Sequence, residues 1–559
     1  MRPGIISLFI TMVVLAGSMA VQGATMRLPA SDPDGNSGIT TAGEAREAGI
    51  VSLVLEYNDS TGSVAKRVGA VVSRRWANHE VIRVPRDQVE AVKAVLRLTE
   101  GVRSVEEDSV VTPPSPEPAP EPEASITTQS TSTSSPDDPQ YGQQSWWRDA
   151  SEHPGASGVE HAWRVSERNE KLSIVVIDGG FDNHQDFQWS GGISLVGDGR
   201  GYLSYDADTC PSYHGQSVAS IIGATADNGD GMSGMVDASF YAARALACDN
   251  SGYMSDVARA IRWAAGEDIG TDSRLDRPAD IVNLSLGADA QCSGSLQSAI
   301  DTANAAGVMV VASAGNSSAE ASRFSPAGCD GVVTVGAVTL EGKQTSFSNH
   351  GESLEVSTLG QQVRVQGPEG HRWMSGTSFS SPIASGIIGL IRQDIPELDR
   401  GTLLQLIPSA TTPFTEASDP MGAGVFNAPA LQQQVAALTG TETPSLHHAM
   451  RVRSKRAEAY WEHLNETRLC DQFEFSANGR SLTSGKSFTV FEVAAGDAMT
   501  VANGEPIMAS DEMSFVLSSL APADYDYGLQ FCEAGNDCAD SELIPLDTTR
   551  LSRPGRCTP

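Results

Sequence analysis

Leu172-Ser173-Ile174-Val175-Val176-Ile177-Asp178-Gly179-Gly180 is the stretch that decides the fold. Its near-continuous apolar run predicts a strand covered on both faces, the habit of strands in parallel sheets. It ends in an acid and two glycines, which let the chain turn sharply. Phe240–Leu246, Ile281–Leu286, Val308–Ala314 and Val332–Val338 repeat the run. Helical patterns at Ser217–Ala226, Ser255–Ala265, Leu296–Ala306 and Phe379–Gln393 lie between or after them. The alternation predicts an α/β unit over 137–440: a mostly parallel sheet with helices on both faces and its site beyond the carboxyl ends of the strands.

Outward from this unit, Thr112–Pro136 is a Pro-rich and then Ser/Thr-rich linker, a composition that buries little and stays extended. Before it, about Glu44–Val111 reads as a small α/β unit. Strands are predicted at Ile50–Tyr57, Glu80–Val84 and Val102–Val111, with a helix over Arg86–Thr99. Met1–Ala24 has the pattern of a secretory signal: Arg2, then an apolar Ile5–Ala16 too short to span a bilayer, then small residues. After the α/β unit, 441–559 predicts a charged helix near Arg451–Leu464 and strands at Ser487–Val493, Met513–Leu517 and Tyr527–Cys532. That block reads as a small β-rich module whose role the sequence leaves open.

The chain carries 70 acidic and 38 basic residues, a net charge of −32. This excludes a general nucleic-acid binder, which needs a basic face, and docking on anionic lipid. Residues 137–440 hold −20 of that charge, whereas 44–104 carries +2, so mutual attraction between the two units is expected. The eight cysteines fall into two groups, Cys210, Cys248, Cys292 and Cys329, and Cys470, Cys532, Cys538 and Cys557. Export makes disulfides reasonable, and no close CxxC spacing suggests zinc. Spacing alone does not give the pairing.

Three further segments sit where the sheet rule expects chemistry. His214-Gly215-Gln216-Ser217 opens a small-residue helix. Gly376-Thr377-Ser378 opens a long helix, with Pro382 expected in its first turn. Ala314-Gly315-Asn316 ends a buried strand. Taken singly, a strand-end Asp, a helix-opening His and a Gly-Thr-Ser are ordinary caps. Together, Asp178, His214 and Ser378 are what acyl transfer requires. A histidine takes the hydroxyl proton, a carboxylate orients the imidazole, and a helix N-terminus with an amide donor meets the developing oxyanion.

The order Asp178…His214…Asn316…Ser378 and its motifs resemble the subtilisin-like (subtilase) serine peptidases over roughly 137–440. Gln216 and Ser217 depart from the family's His-Gly-Thr-His. The resemblance implies Ser378 as nucleophile, His214 as base, Asp178 as its orienter and Asn316 as oxyanion donor. It implies that Asn283-Leu284-Ser285-Leu286-Gly287 binds an extended peptide, so that Ser285, Leu286, Gly287, Ala314 and Gly315 contact substrate. It implies the bridges Cys210–Cys248 and Cys292–Cys329, as in a secreted bacterial subgroup of the family, and leaves the other four cysteines unassigned. It makes 25–111 a propeptide that inhibits its own enzyme and the whole a secreted zymogen, exported directly or by way of the periplasm. That enzyme is expected to be a monomer that acts on polypeptides, without nucleic acid and without a membrane span. Asp227-Asn228-Gly229-Asp230-Gly231, with Asp186, stands where the family often binds Ca2+, although the same residues make a good turn. Two alternatives remain. A catalytically weak relative could act through its C-terminal module in adhesion or targeting. An α/β-hydrolase esterase would need a Gly-x-Ser-x-Gly elbow, which the sequence lacks.

Overall fold

The computed structural model describes residues 41–58, 72–115 except 77, 117–120, and 136–439 except 167–170, 272 and 397, together with six strands between 472 and 546. The expected signal, the helix near Arg451–Leu464, and Cys470, Cys538 and Cys557 lie outside the described residues.

The N-terminal unit is a four-stranded sheet in the order β2-β3-β1-β4, with β1 Ile50–Tyr57, β2 Val72–Trp76, β3 His79–Pro85 and β4 Val102–Glu107. Helix α1 (Ala42–Glu47) precedes the sheet, its Thr41 and Glu44 forming a reciprocal cap. Helix α2 (Val89–Arg97) covers one face with Val89, Val92 and Leu96, against Leu53, Leu55 and Ile82. The expected single strand Val102–Val111 breaks in two. Residues 102–107 pair with β1, whereas β5 (Val110–Val111) pairs with β10 (Gly252–Tyr253) of the large unit. The break falls at Asp108, whose carboxylate accepts hydrogen bonds from Ser255 N and Oγ at 2.9 and 2.6 Å.

The large unit is built on a nine-stranded sheet, ordered β17-β18-β14-β13-β12-β11-β7-β9-β8. Its strands are β7 Leu172–Asp178, β8 Trp189–Ser194, β9 Ala238–Arg244, β11 Ile281–Leu284, β12 Met309–Ser313, β13 Val333–Val338, β14 Val356–Leu359, β17 Thr411–Thr412 and β18 Val425–Phe426. All pairings are parallel except β17 with β18. Strand β7 is buried at every residue because each face has its own core. Ile174 and Val176 pack with helix α4 (His214–Gly223) and helix α7 (Thr377–Asp394). Val175 and Ile177 pack with α5 (Met254–Ala264) and α6 (Gly294–Ala305). Among the described residues no helix is long and apolar enough to cross a membrane.

The C-terminal strands form two antiparallel groups, 472–481 with 512–518, and 504–510, 487–494, 525–532 and 544–546 in that order. These include all three strands expected there.

Candidate active site

Asp178 is the last residue of β7 and has no exposed surface. One of its oxygens accepts from Gly179 N at 2.7 Å, fixing the carboxylate at the strand end. The turn that follows brings α4 back over it, and Gly215 N donates to Gly179 O at 2.7 Å. Gly180 allows this approach: its φ is +70°, and a Cβ there would lie 2.2 Å from Ser212 O. His214, the first residue of α4, therefore sets Nδ1 at 3.0 and 2.9 Å from the two Asp178 oxygens. A carboxylate only accepts, so Nδ1 is the donor, and in the neutral imidazole the lone pair is then on Nε2. That Nε2 is buried and has no hydrogen-bond partner among the described residues. The ring tilts against Phe379, with centroids 6.0 Å apart.

Ser378 is the second residue of α7 and is buried. Its Oγ reaches Ser285 O at 3.5 Å and makes no hydrogen bond to His214 among the described residues. Pro382 lies in the second turn of α7, not the first as expected. Because it has no N–H, it cannot bond the Ser378 carbonyl four residues back. That carbonyl instead accepts from Ser285 Oγ at 2.9 Å. Asn283 Nδ2 holds the same hydroxyl at 3.0 Å, and Ser385 Oγ holds Asn283 Oδ1 at 2.9 Å. The missing donor in the helix thus ties its first turn to the residues that follow β11.

Asn316 is oriented from α7. Its Oδ1 accepts from Thr377 N at 2.9 Å and Thr377 Oγ1 at 2.7 Å, which turns Nδ2 outward. Thr377 Oγ1 also accepts from Gly315 N at 3.1 Å. Gly315 has φ +102°, and Asn349 packs so closely that a Cβ would lie 2.4 Å from its Nδ2. Asn349 closes the loop by donating to Ala314 O and accepting from Ser317 N and Ala319 N. The sequence reading missed Thr377 and Asn349, and it gave Asn283 to peptide binding where the structure has it bracing Ser285 and Ser385. Thr377 stands in the quoted motif, whereas nothing local marks Asn349, which lies 33 residues beyond Asn316.

The cleft is occupied by the chain itself. Thr112 exchanges two hydrogen bonds with Gly287, at 3.0 and 2.9 Å. Ser115 O accepts from Asn316 Nδ2 at 3.2 Å. Glu117–Pro118 (β6) then pairs antiparallel with β16 (Gly370–Ser375), itself hairpinned to β15 (Val363–Gly367). Of the expected substrate contacts, Gly287 pairs with backbone, and Ser285 holds α7. Leu286 and Ala314 are fully buried in apolar clusters, and Gly315 supports Asn316.

Both expected bridges are present, Cys210–Cys248 and Cys292–Cys329. The first joins the approach to α4 with the segment that follows β9, and the second joins the segments before α6 and β13.

The residues expected to bind calcium are arranged as a hydrogen-bonded turn. Asp186 accepts from Asn228 Nδ2 at 3.0 Å and Met232 N at 2.8 Å. Asp138 accepts from Asp227 N, Asn228 N and Gly229 N at 2.9, 3.0 and 3.2 Å. Asp230 accepts from Gln185 Nε2 at 2.5 Å. Burial pushes the Asp186 carboxyl up to about 6, aided by Asp138 and Asp230 nearby. Among the described residues no three His, Cys, Asp or Glu groups gather as a metal site. In this arrangement side-chain oxygens of Asp186, Asp227, Asn228 and Asp230 hold N–H donors, so the segment is built as a hydrogen-bonded turn.

Residues 169–426 match the subtilase family. Subtilisin DY of Bacillus licheniformis is 32% identical over 272 residues, covering 48% of this chain and 92% of that protein. The thermophilic serine proteinase of Bacillus sp. (strain AK1) is 35% identical over 248 residues, covering 43% of this chain and 56% of its own. The extracellular protease of Xanthomonas campestris pv. campestris is 28% identical over 330 residues, covering 53% and 56%. The chain spans about half the length of these last two relatives. With 92% of subtilisin DY covered at this identity, the chain belongs to the subtilase family.

Proposed function

We propose that this chain is a secreted serine endopeptidase made as a zymogen. Ser378 is the nucleophile, His214 the general base, Asp178 its orienter and Asn316 the oxyanion donor. In this reading 137–440 is the peptidase and 25–111 a propeptide that inhibits it. Ser378 Oγ attacks a peptide carbonyl as its proton passes to His214 Nε2. Asp178 stabilises the imidazolium through Nδ1, and Asn316 Nδ2 donates to the oxyanion. His214 then protonates the leaving nitrogen, and water hydrolyses the acyl-enzyme. The observation that carries this reading is His214 Nδ1 against both oxygens of Asp178, with Nε2 buried and without a partner among the described residues and the ring against Phe379 in the first turn of α7. The −20 charge of 137–440 suits an exported enzyme, and the extracellular naming of the Xanthomonas relative supports export.

The N-terminal unit supports its assigned role by how it docks. Glu106 accepts from Gly294 N at 2.8 Å at the start of α6, and Asp108 caps the start of α5. Both carboxylates meet positive helix ends. Arg74 pairs with Asp256 and, at 3.6 Å, with Asp108. The test is covalent labelling of Ser378 by a fluorophosphonate together with casein hydrolysis. Both should vanish in Ser378→Ala, and Asn316→Ala should lower kcat about 100- to 1000-fold. Labelling that persists in Ser378→Ala, or falls on another residue, overturns the assignment.

A further inference from the structure

Gln216 and Ser217, the two departures from the family's His-Gly-Thr-His, both turn inward from α4 and are buried. Both reach Gln366 on β15, which has no exposed surface. Gln216 Nε2 donates to Gln366 Oε1 at 3.1 Å, and Ser217 Oγ donates to Gln366 O at 2.6 Å. Gln366 N donates to Ser220 Oγ at 3.3 Å, further along α4. The other atom of each side-chain amide holds the segment that follows Asp178. Gln216 Oε1 accepts from Trp189 Nε1 at 3.0 Å and from Asp182 N at 3.4 Å. Gln366 Nε2 donates to His184 Nδ1 at 3.1 Å and to Asp186 Oδ2 at 3.3 Å. Strand β15 turns through its hairpin into β16, and β16 leads directly into Gly376-Thr377-Ser378. Gln362 N donates to Ser375 Oγ at 3.0 Å beside that junction. The segments that carry Asp178, His214 and Ser378 thus meet at one pair of buried amides.

Taking the peptidase reading as its basis, we infer that Gln216 and Gln366 are positioning residues for the reaction, and that their amide pair sets how far His214 stands from Ser378. Asp178 holds the imidazole at Nδ1, whereas the serine proton must reach Nε2. That hold orients the ring but leaves the gap to Ser378 to whatever fixes α4 against the strands leading to α7. The gap matters because a general base must come within about 2.6–3.2 Å of the hydroxyl it deprotonates. A displacement of about 1 Å can cost about 100-fold in rate. Val218 of α4 shares an apolar core with Val363 and Val365 of β15, but apolar contact is non-directional and lets the two elements slide. Hydrogen bonds are directional, and Gln366 meets α4 through its N–H, its carbonyl and its side-chain oxygen. One residue therefore fixes the register between the base's helix and the nucleophile's approach. A buried amide pair can do this only while both members are present, because either one alone leaves the other unsatisfied.

The experiment makes each variant as the full-length chain and compares samples in the same processed form, checked by intact mass, with thermal melts as the folding control. It measures kcat and KM on a chromogenic peptide and the rate at which fluorophosphonate labels Ser378. Gln366→Leu should lower kcat and the labelling rate together, about 10- to 100-fold, with KM nearly constant. Adding Gln216→Leu should lower them little further, because the two amides act as a unit. Ser217→Ala removes one of the three ties to α4 and should cost about three- to tenfold. In a His214→Ala background the slow residual labelling should not respond to Gln366→Leu, since the amide acts only through the base. The inference is overturned if folded Gln366→Leu and Ser217→Ala match wild type in kcat, or if their losses appear in KM. It is equally overturned if Gln366→Leu slows labelling in the His214→Ala background as much as in wild type. Should Gln366→Leu not fold, the same comparisons with Ser217→Ala decide. Peptide hydrolysis that persists in Ser378→Ala would instead refute the peptidase reading, and this inference with it.

Discussion

Removing one hydroxyl beside the nucleophile should disable the oxyanion donor without touching any group that reacts. Thr377 Oγ1 donates to Asn316 Oδ1 at 2.7 Å and accepts from Gly315 N at 3.1 Å. Thr377→Val keeps the shape, since Thr377 is fully buried, but breaks both bonds. Asn316 Oδ1 then keeps only Thr377 N, and Gly315 N is left without this acceptor. Each buried bond contributes about 0.5–1.5 kcal/mol, so folding stability should fall by about 1–3 kcal/mol. The kinetic ceiling is loss of the donor itself, about 2.7–4 kcal/mol. A misaimed amide loses part of that, so kcat should fall about 10- to 100-fold with KM nearly constant. The assay is steady-state hydrolysis of a chromogenic peptide by Thr377→Val, Asn316→Ala and the double variant. Because Thr377 acts only through Asn316, adding Thr377→Val to Asn316→Ala should change kcat little. Fully additive losses in the double variant would refute the reasoning, as would an unchanged kcat in the single one.

Gly315→Ala should destabilise the fold by about 2 kcal/mol or more, through its positive φ and the clash with Asn349; a thermal melt equal to wild type would contradict this. Burial pushes the Asp108 carboxyl from 3.8 up to about 6, against the opposing Arg74 and Ser255. The docked state therefore holds its proton more tightly than the free one, and docking of the N-terminal unit should tighten as pH falls through 6 toward 4. Inhibition constants measured across that window should follow this trend, and Asp108→Asn should flatten it; a slope unchanged in the variant would argue against the assignment. Chelation should leave the melting temperature unchanged, and a calcium-dependent rise abolished by Asp186→Asn would refute the turn reading of 227–231.

The parallel sheet was legible because its strands are buried on both faces and therefore read as apolar runs, β7 most plainly. Its ends and their chemistry were legible for a local reason too. An acid, a histidine and a serine each stand at the junction of a strand or helix with a glycine-bearing turn. The geometry that aims them was not legible, because it depends on partners far along the chain. Asn349 shapes the Gly315 turn, and the Ser285 hydroxyl reaches the carbonyl that Pro382 frees. The turn at Asp227–Gly231 shows the opposite limit. Its sequence suits either a cation loop or a turn, and only the packing that lets its N–H groups donate to Asp138 and Asp186 favours the second.

The sequence by itself determined which elements form, in what order, and which three side chains stand at their ends, since periodicity and turn chemistry act over a few residues. It marked 112–136 only as an extended, proline-rich stretch. The tertiary structure alone decided that 110–115 and 117–120 lie along the cleft. An extended strand satisfies its backbone only on the edges it meets, and those edges, Gly252–Tyr253, Gly287 and Gly370–Ser375, come together only when the sheet has closed around the α7 N-terminus.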